Sequence, residues 1–305
     1  IIGGKGSMFS EQSLACRVLG VIIDKATFTK GSEAWADTMN HLTRGRPLMI
    51  QADLGFFPFI MEEQDLQEDL HFGGHLLSIV GYNPEKQVAL LADNNYDEYQ
   101  EISLELLEKA RGSKHGWKGM WPHYVRYILS RRPDGKRPPL IAGVKLAIQQ
   151  AVKNMIAVST NMNGIPAITR FGESIETWKE EFMKSENFTS KFLRQLYGYI
   201  EEYGTGGSLF RTLYSQFLTE ILTHPEITSS TNDWKENERE TIEEATYNLT
   251  NSEKKWGKFE QIIKQHYSNS SIDFQSIDYA HLKNLIDEIA QLEQNAFKIL
   301  AKIKI

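Results

Sequence analysis

The chain has 305 residues, with 34 lysines and arginines against 40 aspartates and glutamates, for a formal net charge of −6. That acidic balance excludes the basic face on which general nucleic-acid binding depends. Hydrophobic residues make up 41%, which excludes wholesale disorder, and the length allows two domains of ordinary size. The lone cysteine, Cys16, rules out an intrachain disulfide and fits a cytoplasmic location. No run approaches the roughly 18 apolar residues of a membrane helix, and no charged-then-apolar signal segment is present.

In chain order, Ser32 to Thr43 reads as a helix, with Ser32 as N-cap and Trp35, Met39 and Leu42 on one face. Pro47 to Ala52 is a short apolar strand. Leu76 to Tyr82 and Gln87 to Ala92 are two more, joined by a turn at Asn83-Pro84-Glu85. Ser103 opens a helix through Arg111. Residues 114–139 gather tryptophans, prolines and cations around one acid, Asp134, and read as a basic connector. From Leu140 the pattern is helical: Leu140 to Asn161, Ile175 to Met183, Lys191 to Tyr203, Leu209 to Thr223, Asn232 to Tyr267 and Tyr279 to Ile303. The expected layout is an α+β domain over 1–113, the connector over 114–139 and an all-α domain over 140–305.

The two strands around the turn make an antiparallel hairpin. If Tyr82 lies opposite Lys86, His75 lies opposite Asp93. Directly opposed residues share a face, with Cβ atoms about 4.5–5.5 Å apart. A carboxylate there orients an imidazole and leaves its other nitrogen as a base. A one-residue slip would separate the two side chains. The same spacing also suits a buried structural His–Asp pair. Gly73 and Gly74 leave the backbone slim where a ligand can approach.

His71-Phe72-Gly73-Gly74-His75, Val80-Gly81-Tyr82, Ala92-Asp93 and Leu107 through Ala110-Arg111 and Ser113 resemble the N-terminal domain of butirosin-biosynthesis protein H. Gly45-Arg46-Pro47 and the stretch from Asp53 to Phe59 add to the likeness. That domain is similar to the bacteriocin leader (double-glycine) cysteine peptidases, which are papain-like. Gly164-Ile165-Pro166-Ala167 with Trp178, and Gly204-Thr205-Gly206-Gly207 with Phe210-Arg211, resemble the helical domain that accompanies it.

The resemblance implies an acyltransferase with a central antiparallel sheet. A cysteine takes an acyl group from the phosphopantetheine thioester of an acyl carrier protein and passes it to an amine acceptor, in the biosynthesis of an antibiotic or other secondary metabolite. His75 and Asp93 would be the second and third members of its triad, with no cofactor or metal of the enzyme's own. The family's nucleophilic cysteine lies upstream of the glycine pair matched by Gly3-Gly4, so it falls before Ile1 and the domain reads as N-terminally truncated. Cys16 is either a structural thiol or the nucleophile of an unusual arrangement. A peptidase or amide hydrolase on the same fold, or a non-catalytic carrier-binding module, are the rival readings.

Three features stay open on the residues alone. Asp53 either lines the substrate cleft with Gly73 and Gly74 or forms a turn. The basic connector is a solvated link or a surface that steers an acidic carrier protein. Gly204 to Gly207 is an interhelical turn or an anion site before Arg211. His71 and His75 are four residues apart, which on a strand is about 13 Å and excludes a metal pair.

Overall fold

The computed structural model describes residues 15–63, 71–94, 96–116, 118–158, 162–184, 186–202, 206–229, 233–267 and 276–305. Gly3, Gly4, Asn161, Tyr203, Gly204, Thr205 and Asn232, all named above, lie outside these residues. The described chain divides into two compact units, Leu19–Arg137, and Pro138–Ile305 with residues 15–18.

The first unit is α+β. Six antiparallel strands, β1 (Val21–Ala26), β2 (Leu48–Ala52), β3 (His75–Asn83), β4 (Val88–Ala92), β5 (Gln100–Ser103) and β6 (Arg126–Arg131), pair in the order β1-β6-β2-β3-β4-β5. Alternate residues Leu48, Ile50, Ala52, Leu77, Ile79 and Leu91 are buried in one core, as period-two strands require. Helices α1 (Gly31–Leu42), α2 (Pro58–Glu63) and α3 (Leu104–Gly112) supply Trp35 and Leu42, Ile60, and Leu107 and Ala110 to that core. Ser103 caps α3, its side chain accepting the Leu106 N–H.

Residues 126–131, inside the stretch expected to be a connector, form β6 between β1 and β2. The cations had hidden a short apolar run, Tyr127-Ile128-Leu129. Arg126 is buried and donates to Asp24 at 2.7 Å and to Asp37 on α1 at 3.0 Å, so its charge is neutralised inside the unit rather than solvated.

The hairpin differs in register from the expectation. Tyr82 pairs with Ala89, not Lys86, and the pairing shifts between Ile79 and Gly81, leaving Val80 as a bulge. Beyond the bulge Ser78 pairs with Ala92. The register set at the turn, continued without the bulge, would put His75 and Asp93 on opposite faces. The extra residue returns them to one face.

The second unit is helical: α4 (Leu140–Ile156), α5 (Gly164–Phe182), α6 (Glu186–Tyr197), α7 (Arg211–Thr223), α8 (Glu236–Tyr267) and α9 (Tyr279–Leu300), with a π-helical turn at Gly198–Glu202. Helix α5 starts eleven residues before the expected Ile175. Pro166 sits in its first turn, where the missing N–H has no intrahelical acceptor anyway. The α9 stripe Leu282, Leu285, Ile286, Ile289, Phe297 and Leu300 packs along α8 and α5. No helix among the described residues is long and apolar enough to cross a membrane.

Glu260 on α8 is buried and lies against Glu201 of the π turn, whose side chain accepts the Ser208 N–H at 3.0 Å. The Glu260 carboxyl is pushed up from 4.5 to about 8, first by burial, then by hydrogen bonding to Glu201 and the charge of that group. Between these values the folded chain binds a proton that the unfolded chain has released. Stability from this group is therefore lost as pH rises through about 8. Glu260→Gln is expected to flatten that dependence in urea midpoints taken near pH 5 and near pH 9; parallel pH profiles for the two proteins would remove Glu260 as the cause.

Candidate active site

His75 opens β3 and Asp93 follows the last residue of β4. Continued past Ala92, the ladder sets Asp93 opposite Leu77, two residues from His75 and on its face. Such diagonal neighbours lie about 7–8 Å apart, within reach of an imidazole and a carboxylate. His75 Nε2 lies 2.5 Å from Asp93 Oδ2. The Asp93 side chain is 0% exposed and that of His75 17%. A carboxylate only accepts, so Nε2 carries the hydrogen, and in the neutral ring Nδ1 presents its lone pair. Nδ1 has no hydrogen-bond partner among the described residues.

The surroundings hold this pair still. The Phe57 ring meets the imidazole edge-on at 6.2 Å, and Phe57 stacks on Phe59 at 5.5 Å. Tyr96 donates its N–H to the Asp93 carbonyl at 3.2 Å and its hydroxyl to the Phe59 carbonyl at 3.1 Å. The turn carrying Asp93 is thus tied to α2. Tyr96 and Phe57 were not singled out in the sequence. The three-residue spacing of Tyr96 from Asp93, on one turn, is the signal that could have found the former.

Asp53 is 0% exposed. Its Oδ1 accepts the N–H groups of Gly55 and Phe72 at 3.1 and 2.9 Å; its Oδ2 accepts from Ser113 Oγ at 2.5 Å and lies 2.9 Å from His71 Nδ1. Four donors thus surround a buried carboxylate that ties the Leu54–Phe56 turn to the His71 segment and the end of α3. The His71 ring stacks on His115, with centroids 3.8 Å apart and planes at 10°.

Gly73 and Gly74 are both buried. A Cβ on Gly73 would meet the Met120 carbonyl at 2.5 Å, and one on Gly74 the Phe72 ring at 2.8 Å and Met120 Sδ at 3.1 Å. Close packing of the 118–122 segment therefore occupies the space that glycine leaves. Gln51 Nε2 reinforces it, donating to the carbonyls of Gly73 at 2.8 Å and Met120 at 3.2 Å.

A histidine oriented by a buried carboxylate, with its second nitrogen open, can accept a proton from a thiol, an alcohol or an amine. Cys16 lies in a helical turn of the other unit, and burial raises its thiol above the ordinary 9.0. That is the opposite of what a thiolate nucleophile needs. Among the described residues no group of three or more His, Cys, Asp or Glu is arranged to hold a metal ion.

Residues 1–94, which include both His75 and Asp93, match the family model described as butirosin biosynthesis protein H, N-terminal. Residues 105–300 match the model of a domain of unknown function, DUF4872. No curated protein matches the chain. With the paired histidine and aspartate under the first match, and α3, β6 and the helical unit under the second, this chain belongs to the butirosin biosynthesis protein H family.

Proposed function

We propose that this protein is a cysteine-dependent acyltransferase of antibiotic biosynthesis, with a papain-like catalytic domain. It would move an acyl group from the pantetheine thioester of an acyl carrier protein to an amine. The observation that supports this most is the His75–Asp93 pair, bonded through Nε2 with Nδ1 open. The resemblance sets the nucleophilic cysteine ahead of Gly3-Gly4 in sequence, and Cys16, whose thiol burial keeps protonated, suits the role poorly.

In the first half-reaction His75 Nδ1 takes the thiol proton, and the thiolate attacks the carrier thioester carbonyl. The tetrahedral intermediate expels the pantetheine thiolate, which leaves with the proton held by His75. In the second, Nδ1 takes a proton from the amine as it attacks the acyl-enzyme thioester, and the new amide departs as the cysteine thiol is restored. Asp93 holds the ring and balances the imidazolium formed in each half.

The test is intact-mass analysis of the full-length protein incubated with an acyl-carrier thioester. The expected result is an acyl adduct on cysteine that persists without amine and clears as amide when amine is added. Clearance by water alone at the same rate would identify a hydrolase, and no adduct at all would end the proposal.

A further inference from the structure

The exposed lysines and arginines between Gly112 and Arg137 fall into two sets at opposite ends of the sheet. Arg131 pairs with Val21 at the end of β6, and Arg132 is paired with Asp134 at 3.2 Å. His75 sits opposite Ala52 on β2, whose Ile50 pairs with Arg126. Arg131 is therefore about seven residues along the sheet from the level of His75, or roughly 23 Å. That set is poorly placed to serve the candidate site.

The second set is Lys114 and Lys118, exposed like the His115 ring between them, and it belongs to the His75 end, where His115 meets His71 and Met120 meets Gly73. Between Gly112 and Val125 the chain has no acidic residue. Neither lysine forms an ion pair among the described residues. Lys118 lies over the Trp121 ring at 5.9 Å. The loop is held from below. The Ser113 hydroxyl binds Asp53 and accepts the His115 N–H at 3.2 Å, and the His115 ring is stacked on His71. A cationic loop fixed in this way is preorganised for an anion.

His71 is only four residues from His75, so their backbones are at most about 14 Å apart. The intervening surface is apolar. Phe72 is 36% exposed, and its ring lies over Gly74 beside Met120. A cationic rim, an apolar strip and an open imidazole nitrogen thus follow one another over a short stretch of surface. A pantetheine arm presents its groups in a like order: a phosphodiester, an amide-linked chain that begins with a gem-dimethyl group, and the thioester.

We propose that the rim of Lys114, His115 and Lys118 binds the phosphodiester of the carrier's pantetheine arm, with Phe72 and Met120 lining the path to His75. This inference rests on the acyl-transfer reading for the identity of the ligand, and it assigns residues and a direction of entry which that reading lacks.

The test is equilibrium binding to the full-length protein of 4′-phosphopantetheine, pantetheine and inorganic phosphate, at low and high salt. The phosphorylated arm is expected to bind about tenfold tighter than pantetheine at low salt, with the difference shrinking as salt screens it. In Lys114→Glu/Lys118→Glu, two changes at exposed positions, the ratio is expected to fall to about one or below. Phe72→Ala is expected to weaken both arms alike and keep the ratio. Equal binding of the two arms by the unaltered protein, or a ratio untouched by charge reversal, would overturn the proposal. So would inorganic phosphate binding as tightly as 4′-phosphopantetheine, since the rim would then be a site for free phosphate. A protein that prefers the phosphorylated arm yet forms no acyl adduct would sink the acyl-transfer reading and leave the rim standing.

Discussion

His75→Ala is expected to lower the rate of acyl-enzyme formation by about 10²–10⁴-fold, the range a positioned general base contributes. Asp93→Ala should approach the same loss. Its carboxylate acts only through the ring, bonded at 2.5 Å in a place without solvent to substitute for it. Asp93→Asn should fall between, because an amide oxygen still accepts the Nε2 hydrogen but cannot balance an imidazolium. The double variant His75→Ala/Asp93→Ala should be no slower than His75→Ala alone, since groups that act as a unit are not additive. Single-turnover kinetics with a carrier thioester measure all four. If His75→Ala acylates at the unaltered rate, the pair is structural. If the double variant loses the product of the two single effects, Asp93 has a separate task.

Glu293→Ala is expected to destabilise the helical unit by about 3–5 kcal/mol, the cost of breaking a buried ion pair from one side. Glu293 lies in the middle of the apolar α9 stripe and is 0% exposed. It accepts from Arg211 Nε at 2.8 Å and Nη2 at 2.6 Å, from Ser252 Oγ at 2.9 Å and from Trp256 Nε1 at 3.2 Å. Removing it strands a guanidinium, an indole N–H and a hydroxyl away from water. Arg211 also donates to the Leu209 carbonyl at 2.6 Å, which ties the network to an unusual backbone. Five successive residues, Gly206 to Phe210, have φ between 49° and 90°. Three of them, Ser208, Leu209 and Phe210, carry a Cβ that disfavours this region. Contacts from elsewhere must hold such a run in place. Glu293→Gln keeps an acceptor for Ser252 and Trp256 and should cost less. Urea unfolding monitored by tryptophan fluorescence gives both values, and a loss below about 1 kcal/mol for Glu293→Ala would show that the network relaxes at little cost.

Elements whose signal is local are legible in the sequence. Leu104–Gly112 is a helix because a serine cap precedes leucines at helical spacing, and Leu140 onward is helical because apolar residues recur at that period over many turns. Val88–Ala92 and Leu48–Ala52 are strands because short apolar runs end at turn residues. The meeting of His75 and Asp93 was expected too, but through the wrong partners. The expected pairing and the one beyond the bulge differ by two residues, and an even shift keeps every side chain on its face.

What the sequence determined by itself, then, was periodicity and the face that His75 and Asp93 share. The number and phase of neighbouring residues along one segment are enough to set those. The tertiary structure decided the rest. It put Arg126–Arg131 between β1 and β2, where a basic charge meets Asp24 and Asp37 from distant segments. It made Asp53 the hub of four donors drawn from three stretches of chain, and it brought Glu201 to Glu260 and Arg211 to Glu293. A buried polar group is stable only beside its partners, and partners far apart in sequence leave no local period by which to find them.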